Sequence, residues 1–311
     1  MRIEQIRQVL EVAKTYSISR AARNLFMAQS SLSASINSLE QKLRRNIFVR
    51  TQNGIELTEF GQIFVEEGKQ ILHHYDIIMA SSDNKNAQPP KQFNLSSHHL
   101  LFAAKVFSTL CNDYDKRGER VNFSFREQSK IEVILDVANG MSEIGILNMP
   151  SIRKEQWLAL LDAYELDYYV LSIEPPKILF AEKAALYNSN VTEVDIDFLR
   201  SHRLIFCEEK NELFQSIERE LMQTLKAASY LGICDRGTFV TILKQTDSYY
   251  LGTVNNNAYM NEDYYEGIKS ADLVGMNNFH FEISFIKKRG VPYSSIATEY
   301  LGRLKKTMSI D

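Results

Sequence analysis

The sequence predicts a multidomain chain of α+β and α/β class: a small helical head with a β-hairpin, a long connecting helix, and a larger two-lobed α/β body. Three observations predict it. Charge is split along the chain: Met1–Thr58 holds nine Lys/Arg against four Glu, a net +5, while the whole chain is −3. Apolar residues recur at helical spacing through the first eighty positions, interrupted by an Asn-Gly hairpin signal. From about residue 91 strand and helix patterns alternate. The 311 residues exceed a single domain at roughly 100–200 residues each. At 44% hydrophobic and 24% charged, the composition is that of a folded protein and excludes collagen, disulfide scaffolds and wholesale disorder.

The head begins with Ile3, Ile6, Val9, Leu10 and Ala13, the apolar face of an amphipathic helix. Ser19 is read as the N-cap of a short helix over Arg20–Phe26, in which Ala21 and Ala22 leave room for another helix. After a turn at Met27–Gln29, Leu32, Ile36, Leu39 and Leu43 follow at steps of four, three and four. At about 100° per residue these form one stripe. The opposite face carries Ser30, Ser33, Ala34, Asn37 and Gln41, short or polar and uncharged. Such residues suit entry into a major groove, where they reach base edges; a small-residue helix packed on another domain is the alternative. Ile47–Leu57 then places two β-prone runs around Asn53-Gly54, a hairpin directly after a helix-turn-helix, and therefore a wing. Arg50 on it is positioned for phosphate or a minor groove.

At this point the sequence resembles the LysR-type transcriptional regulators. The resemblance rests on Ser17-Ile18-Ser19-Arg20-Ala21-Ala22, Leu25, Gln29, Leu32-Ser33, Ile36, Leu39-Glu40, Leu43, Ile47-Phe48-Val49-Arg50-Thr51 and Leu57-Thr58-x-x-Gly61, in the family's order over about sixty residues. It implies binding to a double-stranded promoter operator, an inverted repeat, through Arg20, Gln29, Ser30, Ser31, Ser33, Ala34, Asn37, Arg50, Thr51, Gln52 and Asn53. Three positions depart from the family. Ser30 replaces a usual proline, and Ala34 an arginine that many members have. Arg44 replaces the glycine that usually ends the recognition helix, so Asn46 is expected to take the turn conformation.

Thr58 caps a further helix of about twenty residues whose apolar stripe is Phe60, Ile63, Phe64, Ile71, Tyr75 and Ile78. The stripe needs a partner, either its own domain or, as the resemblance implies, the antiparallel helix of a second subunit in a homodimer or homotetramer. The polar stretch Ser81–Lys91 is the clearest boundary, giving a DNA-binding domain at 1–58, linker helix and hinge at 59–90, and an effector-binding domain at 91–311.

Within the body, Phe93–Ser97, Leu100–Asp115, Val121–Arg126, Ile131–Ala138 and Glu143–Asn148 read as βαβαβ and predict a mostly parallel sheet. Lobe I is expected at about 91–166 and 268–311, and lobe II at about 167–267. Two lobes joined by crossing strands look like the family's effector domain, itself similar to periplasmic solute-binding proteins. Ligands of open α/β sheets sit beyond the carboxyl ends of strands, near helix N-termini. That rule points to Ser96, Ser97, His98, Gln128, Ser129, Asn148, Phe206, Thr246 and Ser248 as a site for a small polar or anionic effector. The same residue types also serve as helix caps and turns.

Support for catalysis is lacking. Nucleotide-binding, nucleophile-elbow and zinc-protease motifs are absent, and His73-His74 and His98-His99 have no metal-ligand spacing. Asp195 and Asp197 are simplest as capping residues. Cys111, Cys207 and Cys234 form no C-x-x-C and read as small buried hydrophobes. No cofactor and no metal are expected. Apolar runs are far too short for a membrane span and Met1–Lys14 lacks a signal-peptide core, so the expectation is a cytoplasmic regulator. The rival from another class is a small-molecule binding protein whose head is a protein-interaction module.

Overall fold

The computed structural model describes residues 1–51, 54–82, 91–253, 266–276 and 278–308, and these fall into two compact units, Met1–Pro89 and Pro90–Asp311. Each is considered by itself.

In the first unit, α1 (Ile3–Thr15), α2 (Ile18–Asn24) and α3 (Gln29–Leu43) enclose a core of Ile6, Val9, Val12, Ala21, Ala22, Leu32, Ile36 and Leu39. Fully burying a large apolar side chain is worth roughly 1.5–3 kcal/mol, so this stripe-on-stripe packing outweighs the modest helix propensity of the Ser-rich α3. The cap of α2 is Ser17, whose side chain accepts the Arg20 N–H; Ser19, the expected cap, is already inside the helix and donates to Gln29. The helix starts earlier because Ile18 packs against the core, so the cap moves with it.

The strands β1 (Phe48–Thr51) and β2 (Gly54–Leu57) pair antiparallel, Phe48 opposite Leu57, and form the wing. Two side chains tie it to the head. Glu40 Oε1 accepts the Ile47 and Phe48 N–H groups at 2.6 and 3.0 Å, and Thr58 Oγ1 accepts the Gly61 N–H at 2.8 Å while donating to the Asn46 carbonyl. Thr58 thereby caps α4 (Glu59–Ser82). Gly61 is required here: a Cβ would stand 2.0 Å from the Ile47 carbonyl oxygen.

The second unit holds two mixed sheets. Lobe I is built on β3 (Lys91–Ser97), β4 (Val121–Glu127), β5 (Ile144–Pro150), β6 (Leu166–Glu174) and β13 (Phe281–Lys288), in the order β4-β3-β5-β13-β6. Helices α5 (Leu101–Lys116), α6 (Lys130–Ala138), α7 (Lys154–Ala163) and α10 (Ser295–Thr307) accompany it. Lobe II is the six-stranded sheet β10-β9-β11-β7-β12-β8, comprising β7 (Lys177–Ala181), β8 (Glu193–Asp195), β9 (Arg203–Cys207), β10 (Ser229–Ile233), β11 (Ser248–Gly252) and β12 (Ile268–Val274). A 3-10 turn over Ile196–Ser201 and helices α8 (Glu212–Leu225) and α9 (Arg236–Gln245) connect these strands.

Three expectations are corrected. The βαβαβ stretch is parallel as expected, β3 beside β4 and β5, and β9 runs parallel to β10 and β11, but the complete sheets are mixed: β13 is antiparallel to β5 and β6, and β7 to β11 and β12. The lobe boundaries also move. Tyr168–Ile173, expected to open lobe II, pairs with β13 in lobe I, and Ile268–Val274, expected in lobe I, pairs with β7 in lobe II. The chain therefore crosses between Glu174 and Lys177 and again between Val274 and Phe281. Alternation of apolar residues identifies a strand but not its neighbour, which register and tertiary packing choose. Finally, Cys234 is exposed rather than buried, and Cys111 and Cys207 are half-buried.

Candidate nucleic-acid interface and interlobe cavity

The outer face of α3 is solvent-exposed at Gln29, Ser30, Ser31, Ala34, Asn37 and Gln41, with Ser33 half-buried. Gln29 is held by the Ser19 hydroxyl at 3.0 Å, and Ser35, one step round the helix, is tied to Gln8 on α1. The single acidic residue of α3, Glu40, is turned to the wing backbone, so no carboxylate opposes a polyanion on this face. Arg2, Arg7, Lys14, Arg20, Arg23, Lys42, Arg44 and Arg45 are all exposed, so the described basic residues of the head lie at its surface. Arg7 is partly engaged, pairing with Asp76 at 2.5 Å. Gln52 and Asn53, and the side chains of Arg50 and Thr51, lie outside the described residues.

The end of α3 differs from expectation. Arg44 itself adopts the left-handed conformation, φ 54°, and the Arg45 N–H closes on the Glu40 carbonyl at 3.2 Å; Asn46 is not needed for the turn. Phe26, in the turn before α3, is also left-handed, φ 54°, and 98% exposed. Both side chains leave the backbone toward water, which removes the clash that burial would add to the strained φ.

The α4 stripe divides in two. Phe60 and Phe64 pack into the head's own core, and Tyr75 lies under the Arg7 guanidinium. Ile63, Ile71 and Ile78, exposed at 59%, 38% and 66%, form a separate line. Adjacent positions on a helix stand about 100° apart, so Ile63 and Phe64 cannot share a face.

Among the described residues, Lys or Arg pairs with Glu between the lobes at Lys130–Glu209 (2.7 Å), Lys210–Glu132 (2.7 Å), Arg236–Glu127 (2.8 Å) and Arg153–Glu220 (2.6 Å). Glu209 is the most buried, at 4% exposure, and His98 stands 3.5 Å from it. Burial and then the Lys130 charge push His98 down to about 3, so the ring is neutral. Burial works to raise Glu209, and the ammonium of Lys130 with His98 overcomes it and holds the carboxyl at about 2. Burial pushes nearby Glu218 up to about 7 against the pull of Lys130.

Of the nine residues expected at the effector site, His98, Asn148 and Phe206 line one cavity, of about 90 Å³. The others do not join them there. Ser96 and Gln128 both donate to Asp136 Oδ2 at 2.6 Å inside lobe I, and Ser129 caps α6 with Glu132. Thr246 and Ser248 bond to each other at 2.9 Å, and Ser97 is fully buried in β3. Ser129 and Thr246 are helix-end residues, as the cap reading has it, whereas Ser96 and Gln128 serve Asp136. Sequence reasoning missed Lys130, Glu209 and Glu218. Their signal was weak, since an isolated Lys and two Glu read as solvated charges until two lobes close over them.

Residues 3–62 match the family model described as bacterial regulatory helix-turn-helix protein, lysR family. That match spans the head alone, so it is the head that is similar to the helix-turn-helix of the lysR family. The chain is 38% identical over 77 residues to the HTH-type transcriptional regulator ClcR of Pseudomonas putida, a match covering 25% of this chain and 26% of ClcR. It is 24% identical over 228 residues to the HTH-type transcriptional regulator HdfR of Yersinia pestis, covering 73% of this chain and 75% of HdfR. The fold is that of CbnR, a LysR family transcriptional regulator, with a TM-score of 0.66, 14% identity and 100% of both chains covered. CbnR in complex with its target DNA gives a TM-score of 0.62. No helix among the described residues is long and apolar enough to cross a membrane, and none of their His, Cys, Asp and Glu side chains cluster to hold a metal ion.

Proposed function

We propose that the protein is a sequence-specific DNA-binding transcription regulator of the cytoplasm, without enzymatic activity, that works as a homodimer or homotetramer on an inverted-repeat operator. The observation that carries this reading is the outer face of α3, exposed, short, hydrogen-bonding and free of acid, on a head whose described basic residues all reach solvent. With α3 in a major groove, the Asn37 amide matches the N6/N7 edge of adenine, and the hydroxyls of Ser30, Ser31 and Ser33 reach base edges or phosphates. Arg20 and the wing, including Arg50, Thr51, Gln52 and Asn53, supply backbone and minor-groove contacts and with them most of the salt-sensitive affinity. Ala34 offers only a methyl contact. Ile63, Ile71 and Ile78 form the face on which a second subunit pairs.

The cavity between the lobes supports control by a small molecule. A ligand that binds one arrangement of the lobes better than another shifts the population between them without chemistry.

The test is electrophoretic mobility shift of the purified protein on the DNA flanking its own gene, across a salt series. The expected result is a shift that outcompetes random DNA and weakens with a log-log slope of about −0.9 per phosphate neutralised. Equal affinity for random and flanking DNA, or a flat salt dependence, overturns the reading in favour of a protein-interaction head.

A further inference from the structure

The chemistry of the interlobe cavity selects among ligands, an inference that rests on the effector reading above and goes further by naming the ligand class. One wall is hydrocarbon: Phe214, Ile217, Leu221, Met222 and Leu225 of α8 face Phe206 of β9. The polar end is formed by His98, Lys130, Asn148, Glu209 and Glu218.

The charges at that end are already partly spent. Lys130 is matched by Glu209, which also accepts the Lys130 backbone N–H at 3.2 Å. His98 is neutral and Cys207 is held as a thiol, its pKa pushed up to about 11 by burial. That leaves Glu218 as the charge in the lining without a cation of its own. Two further polar atoms are buried without a partner: Asn148 Oδ1, an acceptor, and Nδ1 of His98, whose ring is 5% exposed. Nε2 of the same ring stands 3.3 Å from Lys130 Nζ and 3.5 Å from Glu209 Oε1; when it donates to Glu209, Nδ1 is an acceptor. Leaving such buried groups unmet is costly, and an occupant would meet them.

An anion entering here finds no unmatched positive charge and meets Glu209 and Glu218. A hydrogen-bond-donating cation finds Glu218 and Asn148 Oδ1. The cavity, at about 90 Å³, is smaller than the ~150 Å³ that holds benzene. We propose that it takes a short aliphatic amine, the ammonium seated at Glu218 and the Asn148 carbonyl oxygen and a tail of about four or five carbons lying between α8 and the sheet. This differs from the polar or anionic effector that the sequence led us to expect.

The experiment is calorimetric titration of the full chain at pH 8 with n-butylamine, n-butanol and pentanoate, on the native protein, Glu218→Gln and Met222→Trp. The native protein is expected to bind the amine at least about tenfold more tightly than the alcohol or the carboxylate. Glu218→Gln, nearly isosteric, is expected to abolish that preference, and Met222→Trp, which fills the apolar end, to abolish binding. An amine that binds equally well to Glu218→Gln overturns the assignment of its seat. Pentanoate or butanol binding best, and lost in Met222→Trp, overturns the amine class while the effector reading stands. Silence from all three, and from a fragment set spanning both charges, removes the amine and the effector reading together, whereas specific promoter binding is measured separately.

Discussion

The Glu209 carboxylate takes both kinds of donor that Lys130 possesses: Oε1 lies 2.7 Å from the ammonium and Oε2 3.2 Å from the backbone N–H. Lys130 is the first residue of α6, so the carboxylate of one lobe sits on the positive end of a helix of the other. Buried ion pairs are weak evidence of stability in themselves, but breaking one strands a charge. This pair thus acts chiefly as a latch, specifying how the lobes meet. Phe214 and Ile217 of α8, packed against Ile131, Val133 and Trp157 of lobe I, supply the apolar part of the same contact.

Glu209→Gln keeps the volume and removes the charge, leaving Lys130 half-solvated at best and without its counter-ion. Destabilisation of the second unit by about 3 kcal/mol is expected in urea unfolding at pH 7. A double variant, Glu209→Gln with Lys130→Met, should recover much of that loss. No loss in the single variant would show that the pair is not desolvated.

Three of the perturbed groups of the cavity, Glu218, His98 and Glu209, give opposing pH dependences. Glu218, raised to about 7 from an ordinary value near 4.5, holds its proton better when folded, so its contribution declines as pH rises from about 4.5 to 7. His98, lowered to about 3, and Glu209, lowered to about 2, both lose stability as pH falls, over about 6.5 to 3 and 4.5 to 2 respectively. Glu218→Gln is therefore expected to raise the melting temperature at pH 8 and to leave it nearly unchanged at pH 4. A rise of equal size at both pH values would show that the carboxyl is not perturbed in the folded state.

Arg44 ends α3 in a conformation that suits glycine. Arg44→Gly is expected to stabilise the head by about 1 kcal/mol, less the entropy that glycine adds to the unfolded chain. The same logic makes Phe26→Asn stabilising, because asparagine tolerates φ 54° and removes an exposed ring. Thermal melts of the isolated substitutions in the full chain check both.

On the α3 face, Asn37→Ala and Ser33→Arg are expected to change which operator bases are preferred, with Asn37→Ala costing about 1–3 kcal/mol on the best site. Arg50→Ala is expected to weaken binding on all sequences and to reduce the salt slope by about one. Selection of bound sequences from a random pool separates the two classes, and uniform losses for all three would count against α3 as the reading helix.

Ile63→Asp and Ile78→Asp place charge on the exposed line of α4 without touching Phe60 or Phe64, which the head's core uses. Sedimentation equilibrium should show a smaller assembly with an intact fold. Unchanged mass would move the subunit contact elsewhere.

Much of the head was legible because its information is local. Helical spacing of Ile6, Val9, Leu32, Ile36 and Leu39, an Asn-Gly turn and a motif ending at Gly61 each act within a few residues. The helix-turn-helix, the wing and the strands of the body followed from these periods. The cap of α2, the left-handed Arg44 and the division of the α4 stripe did not, since each depends on how far packing pulls a helix end or face toward its neighbour.

The sequence alone determined the order of elements, the basic head on an acidic body and the polar face of α3, because period and charge are properties of the chain itself. Only the tertiary structure decided that β6 belongs to lobe I, that Ser96 and Gln128 serve Asp136, and that Lys130, Glu209 and Glu218 meet. Those residues lie up to about ninety positions apart, and a charged side chain becomes a buried latch or a ligand seat only when distant segments remove its water.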